Sequence, residues 1–193
     1  QPPSRWHPTG APAVTRAHRT GRAGGPPLDS TSKRVAEHQA QLGEGLAGGH
    51  LVEQLEQHAG IGLELDARGD LEVDDHHTAE DCGLALGEAI DRALGERRGI
   101  VRFGWAYAPL DEALARAVVD LSGRPASKVS LDLCREQLGT LSTENVSHVV
   151  ASLATALRAA IHVDVLRGDN DHHRAEAAFK ALALALRQAL ALR

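Results

Sequence analysis

The spacing of apolar positions changes near residue 46. Six of the eight prolines fall within the first 27 residues, together with Arg5, Arg16, Arg19 and Arg22, and no acid precedes Asp29. No apolar residue recurs there at a helical or alternating spacing, so residues 1–45 predict an unpatterned, extended arm. Beyond it the pattern is regular. Leu51, Leu55 and His58 share one face of a helix predicted over 46–58, and alternation over 61–66 predicts a strand. A helix is predicted over 78–94, strands over 101–108, 113–121 and 129–133, and a helix over 144–159. A strand over 161–165 and a long Ala/Leu helix over 175–192 complete the list. Arg68-Gly69-Asp70 and Arg167-Gly168-Asp169 read as tight turns before helices, with no adhesive role.

This order contains a duplication. Asp75-His76-His77-Thr78-Ala79-Glu80 returns 96 residues later as Asp171-His172-His173-Arg174-Ala175-Glu176. Ten of the 20 positions in 75–94 are identical at that offset. Upstream, His50 precedes His76 by 26 residues and His148 precedes His172 by 24. The chain therefore divides into the arm and one duplicated domain, 46–193. Two helix–strand–turn–helix modules, about 46–95 and 144–193, flank a β-rich middle.

The repeated residues carry chemistry. On a helix Glu80 shares a face with both His76 (four residues before) and His77 (three before), while the two imidazoles diverge by about 100°. Such a pair suits two ions on different sides better than one. With the upstream histidine, each module offers three imidazoles and a carboxylate. The set is His50, His76, His77, Glu80, His148, His172, His173 and Glu176, four ligands for each of two metals. Imidazole and carboxylate without thiolate suit Mn, Fe or Zn rather than Cu(I) or an iron–sulfur cluster. One His-His-x-x-Glu is usually a surface feature; its repetition with the upstream histidine favours metal. The His-Glu-x-x-His zinc-protease pattern does not occur.

Composition narrows the picture further. Hydrophobics at 42% and charged residues at 24% fit a globular protein. The net charge of −5 gives no basic bias toward nucleic acid, and no apolar run is long enough to span a membrane. Cys82 and Cys134 are too few for a disulfide scaffold and fit a reducing compartment. The expected location is cytoplasmic, or plastid if the arm serves as a transit segment.

The segments 74–81 and 170–176 resemble the twin signatures of the imidazoleglycerol-phosphate dehydratases of histidine biosynthesis. Between them Leu94-Gly95-Glu96-Arg97-Arg98-Gly99-Ile100, Arg102-Phe103-Gly104, Ala108-Pro109-Leu110-Asp111-Glu112, Asp120-Leu121-Ser122-Gly123-Arg124-Pro125 and Leu141-Ser142-Thr143-Glu144 follow that family's order. The resemblance covers about residues 50–193. It implies a duplicated α+β fold with sheets packed on helices and two Mn ions per active site, with Zn or Fe as second choices. It also implies a 24-subunit self-assembly whose metal sites form between neighbouring chains. The family's metal ligands fall on the eight residues above, its phosphate-binding residues on Arg102, Arg124 and Lys180, and its substrate-contacting glutamine on Gln54. Arginine forks and a lysine charge suit a phosphate dianion. Lys180 lies four residues after Glu176, so the two could also form a simple surface ion pair.

The implied reaction is dehydration of imidazoleglycerol phosphate to imidazoleacetol phosphate by a hydro-lyase. The ends depart from the family pattern. The catalytic glutamate expected near positions 19–24 meets Arg19, Thr20, Gly21, Arg22, Ala23 and Gly24, so no base is assigned. Ala47-Gly48-Gly49-His50 lacks the aspartate that normally precedes the histidine, and no Ser-Ser-Lys-Gly loop occurs before Arg193. The intact middle favours incomplete ends. The alternative is a non-catalytic metal-binding assembly protein that retains the ligands.

Overall fold

The computed structural model describes residues 49–62 and 76–193, together with the backbone of 14–19 and 63–66. That backbone is a strand, β1 (Val14–Arg19), inside the arm where the sequence shows no pattern. It pairs antiparallel with β2 (Ile61–Asp66), from Val14↔Asp66 to Arg19↔Ile61. The partner supplies the register here, so the local sequence carries little of the signal.

Four helices follow the predicted periodicity with shifted ends. They are α1 (Gly49–Ala59), α2 (His76–Leu94), α3 (Thr143–Leu157) and α4 (Asp171–Ala189). Both duplicated motifs therefore lie in first helical turns rather than ahead of them. At α4 the cause is plain. Asn170 caps the helix by accepting from the His172 amide at 2.9 Å. Buried Asp171 accepts from the amides of Cys134 (2.7 Å) and Arg135 (2.6 Å), docking the start of the helix to the preceding loop. The Arg68-Gly69-Asp70 turn lies outside the described residues. At the second turn, Gly168 takes the backbone at φ 146°, a region only glycine visits readily.

The β-rich middle joins the second module instead of standing apart from it. Strands β3 (Phe103–Leu110), β4 (Ala113–Asp120), β5 (Ala126–Ser130) and β8 (Ala160–Arg167) form one sheet in the order β3-β4-β8-β5. Only β5 and β8 run parallel. The strand predicted over 129–133 is displaced toward the N-terminus, because β5 takes its register from β8 (Ala126↔Ala160). A small hairpin, β6 (Gln137–Leu138) with β7 (Leu141–Ser142), leads into α3.

Alternation along β4 buries Ala113, Ala115, Ala117 and Val119 toward the helices and leaves Arg116 and Val118 outside. Helix α4 rests on β3 and β4, and α3 on β5, while α1 and α2 contact β2 and β1. The two helical layers meet as α1 on α4 and α2 on α3. Each interface thus joins one helix of the first module to one of the second. Small residues permit the close approach: a Cβ added at Gly83 would stand 2.6 Å from the Val149 carbonyl, and one at Gly87 2.7 Å from that of Leu153.

Candidate metal centre

The crossing of modules decides which ligands meet. The sequence groups His50 with His76 and His148 with His172; the fold exchanges them. His50, on α1, stacks on His172 of α4 with ring centroids 5.1 Å apart and planes at 22°. His148, on α3, meets His76 of α2 edge-on at 4.7 Å. Each pair has a carboxylate one turn along. Glu176 Oε2 is 3.3 Å from His172 Nε2, and Glu80 Oε2 is 3.9 Å from His76 Nε2. The molecule therefore holds two pseudo-equivalent clusters: His50, His172 and Glu176, and His76, His148 and Glu80.

The second histidine of each motif turns elsewhere. The His77 ring lies 5.9 Å from that of His76 at 83°, and the His173 ring 6.2 Å from that of His172 at 62°. His173 Nδ1 instead donates to Glu112 Oε2 at 2.8 Å. Among the described residues, no three or more His, Cys, Asp or Glu side chains close on one point that could hold a metal ion. Of the eight predicted ligands, six lie in two clusters of three, while His77 is exposed and His173 is held by Glu112.

The half-sites fit a divalent metal in their chemistry. His50 Nε2 is buried without a hydrogen-bond partner, a costly state for a polar atom unless a ligand meets it. Burial, with the neighbouring His172, also lowers the His50 pKa and keeps its lone pair available. At Glu176 burial pushes the carboxyl up. The hydrogen bond and charge of Lys180, with His172 and His50, outweigh it and hold the group below its usual value. Lys180 Nζ sits 2.8 Å from Glu176 Oε1, and both side chains are largely covered. The carboxylate is thus ionised and already oriented.

The other predicted residues are distributed unevenly. Gln54 lies on α1 one turn beyond His50, and its Oε1 accepts from His58 Nε2 at 3.2 Å. Arg102 is at the far end of α4, its amide bonded to the Ala189 carbonyl. Ala189 lies thirteen residues beyond Glu176, about 20 Å along a helix. Arg102 forms a two-pronged pair with Asp120 at 2.7 and 3.1 Å, and exposed Arg124 follows in the next loop. Among these described residues, Lys180 stands beside a His-His-Glu cluster, paired with Glu176.

Known proteins share this sequence and fold. The sequence profile of imidazoleglycerol-phosphate dehydratase matches residues 48–186. The chain belongs to the imidazoleglycerol-phosphate dehydratase family. It is 58% identical over 142 residues to the imidazoleglycerol-phosphate dehydratase of Torulaspora delbrueckii, covering 74% of this chain and 64% of that protein. It is 53% identical over 167 residues to that of Eremothecium gossypii, covering 82% and 76%. The chain thus spans roughly two-thirds to three-quarters of these relatives. Among solved dehydratases, the Pyrococcus furiosus structure in complex with (S)-C348 aligns with a TM-score of 0.73 at 30% identity, over 94% of this chain and 89% of that one. The Staphylococcus aureus structure aligns at 0.70 and 38%, over 75% and 82%. The duplicated α+β expectation holds.

Sequence reasoning missed the residues that orient these histidines. Buried Asn145 takes the His76 Nδ1 proton on Oδ1 at 2.9 Å. Its signal was available: an Asn three residues before His148, inside an otherwise apolar helical face. Glu112 has no such signal, since 61 residues separate it from His173. Only the hairpin between β3 and β4 brings the two together.

Proposed function

We propose that this dehydratase-family protein eliminates water from imidazoleglycerol phosphate, giving imidazoleacetol phosphate in histidine biosynthesis, with two Mn ions. The observation that carries the reading is the pair of His-His-Glu clusters, one of them holding a buried imidazole nitrogen without a partner. Nitrogen and carboxylate donors without thiolate favour Mn, with Zn or Fe next. Bound there, Mn would supply Lewis-acid charge to the substrate's imidazole and departing hydroxyl.

The chain's own residues divide the remaining work. His50, His172 and Glu176 would hold one ion, and His76, His148 and Glu80 the other. Lys180 sets a cation one turn from Glu176, where it suits a phosphate dianion. Gln54, on the helix that carries His50, can hydrogen-bond a substrate hydroxyl. The reaction removes a carbon-bound proton and a hydroxyl as water, and the enol formed tautomerises to the ketone. The proton comes from a carbon with no adjacent carbonyl, so charge must be drawn off through the ring.

The sites would be completed between copies, in the 24-subunit arrangement that the family resemblance implies. Three features support this. His77 is exposed, and His173 is bonded to Glu112 of the β3–β4 hairpin. Arg102 bonds the Ala189 carbonyl nine residues beyond Lys180, about 14 Å along α4, and Asp120 already pairs its guanidinium. Phe103, Trp105 and Tyr107 stand 49–60% exposed on the outer sheet face beside Val118, an apolar strip suited to burial against a second copy. No helix among the described residues is long and apolar enough to cross a membrane, and we place the protein in the cytoplasm.

A second reading, a metal-binding assembly protein without turnover, draws on the lack of a carboxylate at 19–24. Adding Mn to the purified chain, then measuring particle mass and imidazoleglycerol-phosphate turnover, separates the two. Assembly with turnover supports the dehydratase, and assembly without turnover supports the second reading.

A further inference from the structure

Glu112 occupies the two-residue loop of the β3–β4 hairpin, between Leu110 and Ala113. Its carboxylate accepts three hydrogen bonds. Oε1 takes the amides of Asp169 (3.1 Å) and Asn170 (3.0 Å), and Oε2 takes His173 Nδ1 (2.8 Å). The two backbone bonds tie the hairpin to the start of α4; the third fixes a ring. A neutral imidazole whose Nδ1 donates keeps its lone pair on Nε2. Asp111 Oδ2 lies 3.7 Å from that Nε2, beyond hydrogen-bond distance.

We propose that Glu112 is a positioning residue. It holds His173 as the Nδ1–H tautomer against the β3–β4 hairpin, so that the Nε2 lone pair is available to a metal ion shared with a second copy. The inference rests on the two-metal reading above. In the other module the neutral amide of Asn145 takes the Nδ1 proton of His76, the counterpart of His172 and not of His173, so these two histidines are oriented by acceptors of different strength. A carboxylate partner raises the basicity of the ring it holds.

The Glu112→Gln variant separates this role from the loop contact. Its Oε1 can still accept from Asp169 and Asn170, which sets the amide NH2 against His173 Nδ1. The ring must then carry its proton on Nε2, where no lone pair remains for a metal. Flipping the amide would oppose its NH2 to two backbone donors. Two measurements on the full chain test this: nitrogen-15 NMR of the histidine rings without metal, and Mn titration by calorimetry. Wild type should show His173 as Nδ1–H, and Glu112→Gln should show Nε2–H. Half of the Mn sites in that variant should bind about 10–100-fold more weakly, with the wild-type melting temperature retained. Glu112→Ala should lose both Mn affinity and thermal stability. Wild-type Mn affinity at every site of Glu112→Gln, or an Nε2–H ring in wild type, overturns the inference alone. A wild-type protein that takes up no Mn overturns the two-metal reading and this inference with it.

Discussion

Gly104 lies where β3 passes beneath α4, and replacing it with alanine tests how α4 is seated. A Cβ at this position would stand 1.9 Å from the Ala185 carbonyl oxygen and 2.8 Å from the Ala189 nitrogen. Real Cβ atoms essentially never approach closer than 3.0 Å, so helix and strand must separate by about 1 Å or more. Both obstructing atoms are backbone, and no side-chain rotation relieves the clash. Overpacking of this kind costs about 1–3 kcal/mol, occasionally more. Removing a strand glycine would by itself return about 0.5–1 kcal/mol. A net loss of about 1–2 kcal/mol is expected, or roughly 2–8 °C in melting temperature for a chain of this size. Urea unfolding of the metal-free protein measures it directly, as a lower midpoint with an unchanged slope. A Gly104→Ala variant as stable as wild type would mean that α4 does not rest on β3 here, and the placement of His172, Glu176 and Lys180 would fail with it.

Other consequences are as direct. His76→Ala should prevent assembly and abolish the Mn uptake that depends on it; unchanged metal content by mass spectrometry would remove His76 from the ligand set. Burial pushes the Cys82 thiol up to about 11, whereas Cys134 is exposed. Iodoacetamide at pH 8 should therefore label one thiol in the native chain and two after denaturation, and rapid native labelling of Cys82 would contradict its burial. In metal-free protein His50 should titrate below the usual 6.5 and His173 above it, the latter because Glu112 accepts from its ring. The signs oppose. The His50 contribution to stability is present above pH 6.5 and lost as pH falls through its lowered value. That of His173 is present below 6.5 and lost as pH rises through its raised value. Proton NMR titration that finds the reverse order would refute the assigned surroundings.

Much of this architecture was legible because its signals are local. The 3.6-residue apolar spacing marked the four described helices, and the 96-residue repeat marked the histidines and glutamates that the fold brings into two clusters. The helix starts were misplaced by one to four residues, since the caps depend on contacts such as Asp171 with Cys134 and Arg135. What the sequence could not show is the exchange of partners. Linear order places His50 with His76, and only the packing of α1 on α4 and α2 on α3 seats His50 against His172. Strand β1 was missed for a related reason, because its ladder partner begins 42 residues beyond its last residue. Glu112 likewise depends on a contact 61 residues away.

The central claim is that two metal sites are built from half-sites of separate copies. Titrating Mn into the purified chain while recording particle mass and bound Mn per chain tests it most directly. The account predicts that two Mn per chain are taken up only as chains assemble, and that chelation returns both to zero together. A single chain that binds two Mn at full affinity, or a full assembly that forms with none, would contradict it.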